Sequence, residues 1–581
     1  MAARDAFDDF AQEYYDSIYR LYPVEASWLG IHAYDDRLAD LTTDGIEEQA
    51  NTLRELRDRL AALDERDLPL DAYVDYQLVV ADLRSRLWSI TRVEDWQRNP
   101  VMYVQEPLFG LLALTARDYA PLGERAASLL GRLRAIPGTL GAGVTNVAST
   151  SPVLVETAIQ TAQGGAAFIR DAVPRIAEEA ARIGNPSDAA TASEAPDESA
   201  PGLGLTPTTT PFSAVDVPAD AAGAIDDDLS ADLRAAGEHA ARALEDHASA
   251  LAETVADGDF AVGQAAYEER LRDWHMLDIA PPDLAAFGRR LFEDTLGQLH
   301  ELAAENAPGR DWSGLVDELR DDHLTAEGLL GAYREELIKL RSFILEHELV
   351  TIPEGEQLDV VETPPFERAT IPYAAYMPPA PFEPAQNGQF WVTPVDISAS
   401  AEQRDAQLRE HCRWSFPNVA LHEGYPGHHL QLLWANRHPS FVRKHAQSDL
   451  FAEGWAHYCE QLMAEQGYLG DWRLRLFQLK DQLWRAARVV IDPSLHSGTM
   501  SFDEAVTLLV DGARLARAQA EGEVRRYCLS PTQPMTYAVG KQQILDMRSE
   551  LGGLGIREFH DRLLASGTIP FTLVRQEMLA G

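Results

Sequence analysis

The stretch LHEGYPGHHLQ, residues 421–431, sets His422 and Glu423 six residues ahead of His428 and His429. These are the side chains of hydrolytic metal chemistry. Two imidazoles and a carboxylate can hold a zinc ion with one position open, and a further carboxylate takes a proton from the water that the ion activates. In a regular helix such histidines stand four residues apart, about 40° around the axis and about 6 Å along it, so that both face one ion. Here the fourth residue after His422 is Pro426. His428 would lie about 120° away around an ideal helix, and His429, in line, about 10 Å further along. Neither suits a regular helix. The Pro426 ring clashes with the His422 carbonyl and cannot donate the hydrogen bond that this carbonyl expects, while Gly427 adds backbone freedom. A helix kinked or bulged across Gly424-Tyr425-Pro426-Gly427 would return His428 toward His422. The alternatives are histidines that cap and pack around a proline-started helix and hold no metal, or a chance grouping.

A third ligand must come from elsewhere, and FAEGWAHYCEQLM, residues 451–463, offers one. Glu453, His457 and Glu460 fall at i, i+4 and i+7 on one helical face, with Phe451, Trp455, Tyr458, Leu462 and Met463 around the rest. Such a helix is buried, and a buried carboxylate needs a metal, an arginine or a histidine. Glu453 is therefore a third ligand or half of an internal Glu453–His457 ion pair.

These motifs must be held by helices. Phe7, Phe10, Tyr14, Ile18 and Leu21 form one apolar stripe, and Leu53, Leu56, Leu60 and Leu63 repeat it. Helical patterning recurs around Leu130–Leu133 and from Ser230 to Ala256. The expected fold is mostly α, a large helical unit with a deep cleft: an N-terminal helical half at 1–184, an insert at 185–228, and a C-terminal half at 229–581 carrying the metal site. The insert is rich in Pro, Ala, Thr, Ser and Asp, has little to bury, and reads as a flexible surface loop. Between Ile371 and Asp396, the Asn387-Gly388 pair signals a tight turn ahead of the β-favouring run Phe390-Trp391-Val392-Thr393. That predicts a small sheet at about 360–396, just before the histidine motif. Its Phe390–Thr393 strand would suit a peptide laid along a sheet edge, with Trp391 a candidate for substrate contact. There is no fixed-period repeat, Gly-rich phosphate loop or GxSxG elbow.

Acidic residues outnumber basic ones 92 to 50, a formal charge of −42 that argues against nucleic acid, anionic membrane surfaces and acidic substrates as partners. Lysine occurs only at Lys339, Lys444, Lys480 and Lys541, and the acidic residues are spread along the chain, a pattern that fits a high-salt cytoplasm where self-repulsion is screened. The start, MAARDAFDDF, lacks a basic segment followed by an apolar one, and no apolar run approaches the ~18 residues of a membrane span. A cytoplasmic protein is expected. Cys412, Cys459 and Cys528 form no CxxC pair and read as small buried apolar residues.

The segments HEGYPGHHLQ, FAEGWAHYCEQ and MTYAVGKQQI, with VEASWLGIHAYDDRLAD and PPAPFEPAQNGQFWVTP, resemble the bacterial and archaeal family called domain of unknown function 885 over nearly the whole chain. That family is grouped with all-helical zinc metallopeptidases similar to thimet oligopeptidase and angiotensin-converting enzyme. The resemblance implies His422 and His428 as ligands to one zinc ion, Glu453 as the third ligand and Glu423 as general base, with Tyr537 donating its hydroxyl to the oxyanion. His429 remains an alternative ligand, a partner of the ligands or a substrate contact, and His457 at most supports them. The expected function is zinc-dependent hydrolysis of peptide bonds in short peptides. The alternatives are metal-dependent hydrolysis of another amide or ester, or an inactive helical protein that binds peptides.

Overall fold

The computed structural model describes residues 2–183, 227–364, 368, 371 and 373–580. About 70% of the protein is helical, and the class is mostly α with one small sheet, as the periodicity predicts. The N-terminal stripe lies on α1 (Ala2–Leu21), where Phe7, Phe10, Tyr14 and Ile18 are buried. Leu53, Leu56 and Leu60 of the second lie on α2 (Thr43–Leu60), which starts with Thr42 accepting from the Gly45 amide, and Leu63 falls just beyond its end. Both pack with α3 (Leu70–Leu87). Helices α4 (Pro152–Ile183) and α5 (Asp227–Ala252) run antiparallel, Ala166, Ile169 and Val173 meeting Ala240, Ala241 and Leu244. The stretch read as a flexible insert joins them and lies almost wholly outside the described residues. Helix α6 (Pro281–Asn306) lies against a later helix, α10 (Trp472–His496).

The sheet comprises β1 (Gln357–Glu362), β2 (Ala374–Met377) and β3 (Asn387–Val392) in the order β1-β3-β2, with β1 parallel and β2 antiparallel to β3. Two expectations change here. Asn387 and Gly388 form no hairpin turn; they open β3 and pair with Gln357 and Leu358. Glycine at 388 is explained by crowding, since a Cβ there would lie 2.6 Å from the Tyr376 hydroxyl and 2.7 Å from His429 Nδ1. β3 is also the central strand, so the Phe390–Thr393 run has no edge to offer, and β2 is the outer strand that meets Glu423 through its Tyr376 amide.

The remaining site helices are α7 (Phe416–Glu423), α8 (His428–Asn436), α9 (Asp449–Glu465), α11 (Arg517–Leu529) and α12 (Thr536–Glu550). The apolar faces of α7, α8, α9 and α12 share one core with α1, which includes Tyr14, Leu421, Leu430, Trp455 and Ile544, while Ala520, Val524 and Tyr527 of α11 pack with Ala487 and Ile491 of α10. Helices α9 and α12 cross in backbone contact at Gly454 and Gly540, where a Cβ on Gly454 would lie 2.6 Å from the Gly540 backbone. This crossing brings Glu453 and Tyr537 to one place. All three cysteines are buried and free.

Candidate metal centre

The expected kink is a complete break. Helix α7 ends as the Gly424 amide donates to the Ala420 carbonyl at 2.9 Å, the Tyr425–Pro426 peptide is cis, and the Gly427 amide returns to the Leu421 carbonyl at 3.0 Å. A new helix then starts at His428. Pro426, which could not have continued α7, instead offers its carbonyl to the Trp455 indole N–H of α9 at 2.8 Å. The His422 and His428 rings end 4.9 Å apart at 88°.

Both imidazoles face one carboxylate oxygen. Glu453 Oε2 lies 3.7 Å from His422 Nε2 and 3.3 Å from His428 Nε2. Ligands about 2.0–2.1 Å from a tetrahedral zinc are separated by about 3.3–3.5 Å, so the Glu453–His428 separation matches a ligand pair and the Glu453–His422 separation is slightly longer. Glu453 Oε2 is buried with no neighbour to balance it but the two imidazoles, so its charge requires either their protonation or a cation shared with them. The donor set of two imidazole nitrogens and one carboxylate oxygen suits zinc. Donor atoms of His422, Glu423 and His428 also lie within 4.8 Å of one another. Burial pushes the Glu453 carboxyl up, but His428 and His422 hold it well below its ordinary range. Burial opposes a charged His422, yet Glu453 and Glu460 raise it to about 9.

Glu460, one of the three polar residues on the α9 stripe, orients His422. Its Oε1 lies 2.8 Å from His422 Nδ1, which leaves Nε2 to face Glu453. A carboxylate behind an imidazole fixes the tautomer and strengthens the ligand. Glu460→Gln is therefore expected to weaken zinc affinity roughly 10- to 100-fold without removing a ligand, as measured by competition with a chelator; unchanged affinity would rule out this role. His457 does not pair with Glu453: its Nδ1 is 3.4 Å from Glu460 Oε2, and burial, with Lys541 nearby, lowers its pKa to about 3.

His429 faces away from Glu453. It is fully buried, with Nδ1 3.1 Å from the Tyr376 hydroxyl and Nε2 3.2 Å from Glu356 Oε2. Glu356 also accepts from Arg341 and Tyr425, anchoring the broken helix to the approach to β1. Trp391 is buried in β3 with its indole N–H donated to Gln389, so its position supplies no substrate contact. Glu423 accepts from the Tyr376 amide of β2 at 3.2 Å. Tyr537 lies with its ring 6.3 Å from that of His422, nearly parallel, and burial with Glu453 raises its hydroxyl to about 12, so it is a donor at neutral pH. Tyr376 and a group of arginines beyond Tyr537 carried no sequence signal, because only the tertiary fold brings β2 and α10 to α7.

A cavity of about 890 Å³ is lined by residues including Trp28, Trp88, Arg270, Asp449 and Gln533. It borders α9 one turn ahead of Glu453, and none of His422, Glu423, His428, Glu453 or Tyr537 lines it.

The fold has solved relatives. One, from Shewanella oneidensis, is described as a "putative lipoprotein of unknown function", is 24% identical, matches 99% of each chain and superimposes with a TM-score of 0.76. Another, a "putative lipoprotein" from Colwellia psychrerythraea, is 16% identical over 100% of this chain and 99% of its own, with a TM-score of 0.79. Both descriptions overturn the expectation of a cytoplasmic protein, which rested on the lack of a leader-like start and of an apolar run long enough to span a membrane. Among the described residues no helix is long and apolar enough to cross a membrane. No curated protein matches the sequence. The histidine break, the α9 stripe and the α12 motif all fall inside residues 23–578, the span matched by the family described as "Bacterial protein of unknown function (DUF885)", and the chain belongs to that family.

Proposed function

We propose that the protein is a zinc-dependent hydrolase of peptide bonds in short peptides, with His422, His428 and Glu453 as ligands. The observation that carries this reading is the buried, unpartnered Glu453 Oε2 facing two imidazole nitrogens at 3.3 and 3.7 Å. A bound zinc would supply Lewis acidity toward a carbonyl oxygen and toward water. Glu423 accepts the proton and passes it to the leaving amine, its carboxylate steadied by the Tyr376 amide. Tyr537 donates its hydroxyl to the oxygen on which negative charge develops. The outer edge of β2, apart from the Tyr376 amide that Glu423 takes, would offer main-chain groups to an extended peptide.

The test is metal per chain in the purified protein and in its alanine variants, followed by cleavage of a peptide mixture. About one zinc is expected in wild type and in His429→Ala, and none in His422→Ala, His428→Ala or Glu453→Ala, as for a three-ligand site. A wild-type protein that takes up no zinc on incubation would overturn the reading and leave a helical peptide-binding protein.

A further inference from the structure

Beyond Tyr537 lies a buried arginine that the hydrolytic roles do not use. Arg488, on α10, is 4% exposed. Its Nε donates to the Tyr527 hydroxyl at 2.9 Å and one terminal nitrogen donates to Glu523 Oε2 at 3.0 Å, while Nη1 is buried without a partner. Arg526 of α11 donates to the same Glu523 oxygen at 2.9 Å, so one carboxylate serves two guanidiniums. Arg485, one turn before Arg488, lies 3.5 Å from Glu460 and 3.9 Å from Asp481, with its Nε also buried and unpartnered. Lys480 shares Asp481 at 3.3 Å, and Lys541 spends its ammonium on Gln482. Cations therefore outnumber the carboxylates that face them, in a chain where acidic residues are nearly twice as common as basic ones.

Tyr537 joins this cluster to the metal centre. The guanidinium carbons of Arg488 and Arg485 lie 4.6 and 5.8 Å from the centre of its ring. The opposite relation, 6.3 Å from the Tyr537 ring to the His422 ring, puts Arg488 within about 11 Å of that ligand, the reach of roughly one to three extended residues. With Nε and one terminal nitrogen of Arg488 already engaged, Nη1 is the donor that remains; a buried guanidinium N–H left without an acceptor is costly, and a carboxylate oxygen is the acceptor that satisfies it best. We propose that Arg488, with Arg485 beside it, receives the C-terminal carboxylate of a peptide whose scissile bond lies at the metal centre, so that short fragments are released from the C-terminal end. The overall charge of −42 does not prevent this, because it acts at long range and is screened by salt, whereas the arginines act at contact.

The inference rests on the hydrolase reading for its consequence, but binding tests it separately. An N-acetylated tripeptide with a free C-terminus and the same tripeptide as its C-terminal amide are titrated calorimetrically into the protein stripped of metal. The acid is expected to bind about 10- to 100-fold more tightly, the preference falling to near unity in Arg488→Gln and surviving in part in Arg488→Lys. Equal binding of acid and amide to wild type, or no binding of either, overturns the proposal whether or not the variants fold. So does a preference that persists in Arg488→Gln. If the hydrolase reading alone fails, neither peptide is cleaved at any zinc loading and the binding preference remains. If the protein is a hydrolase without this anchor, it cleaves the amide as fast as the acid.

Discussion

Glu423→Gln is expected to retain about one zinc per chain and to lose hydrolysis by roughly a hundred- to ten-thousand-fold, the range associated with a missing general base. The substitution preserves shape, and its carbonyl oxygen can still accept from the Tyr376 amide that now bonds the carboxylate at 3.2 Å. What it removes is the ability to take a proton. The measurement pairs metal content with the turnover of one peptide in the same preparation, and each half discriminates. Loss of zinc would make Glu423 a ligand, a role its closeness to His422 and His428 allows. Retained turnover would move the base elsewhere. Only zinc kept and turnover lost fits the assigned roles, and Glu453→Gln should show the opposite order, losing zinc first, because Glu453 Oε2 has no partner other than the two imidazoles and the ion they would share.

Much of this site was legible because proline and burial impose local rules. Pro426 predicted a kink after His422, which the structure carries to a full break, and the α9 stripe left three polar groups in an apolar helix with nothing local to satisfy them all. The structure keeps Glu453 and gives Glu460, rather than His457, the closest hold on His422. That distinction depends on how α7 lies across α9, which no periodicity encodes. The Asn387-Gly388 pair misled for a related reason: its turn preference is local, but Gly388 is required by His429 and Tyr376, which arrive from α8 and β2. The stripes of α1 and α2 were readable because 3.6-residue periodicity reports burial directly. The arginines around Tyr537 were not, since Arg485 and Arg488 sit on an ordinary-looking helix and their excess charge becomes visible only when the few carboxylates facing them are known.

Gly427→Ala should damage the proposed metal centre more than most changes outside its ligands, lowering stability by about 2–4 kcal/mol and abolishing zinc uptake in the molecules that still fold. The reason is space. Gly427 has a φ of −69°, so a left-handed conformation is not what the position needs. A Cβ there would instead collide with the carbonyl of His422 and come 2.5 Å from the carbonyl oxygen of Leu421. These are backbone atoms and have no rotamer by which to yield. To admit the methyl group the turn must open, and opening it separates His422, at the end of one helix, from His428, at the start of the next. Gly424 offers a comparison within the same turn. A Cβ there meets the Leu337 side chain, which can swing away, although the Ala420 carbonyl oxygen at 2.8 Å remains close. Gly424→Ala is thus expected to keep more zinc than Gly427→Ala, with both read by metal content in the monodisperse fraction and by the midpoint of denaturant unfolding. A Gly427→Ala protein with full zinc and an unchanged midpoint would mean that the two histidines are not held together by this turn, and the ligand assignment built on it would have to be abandoned.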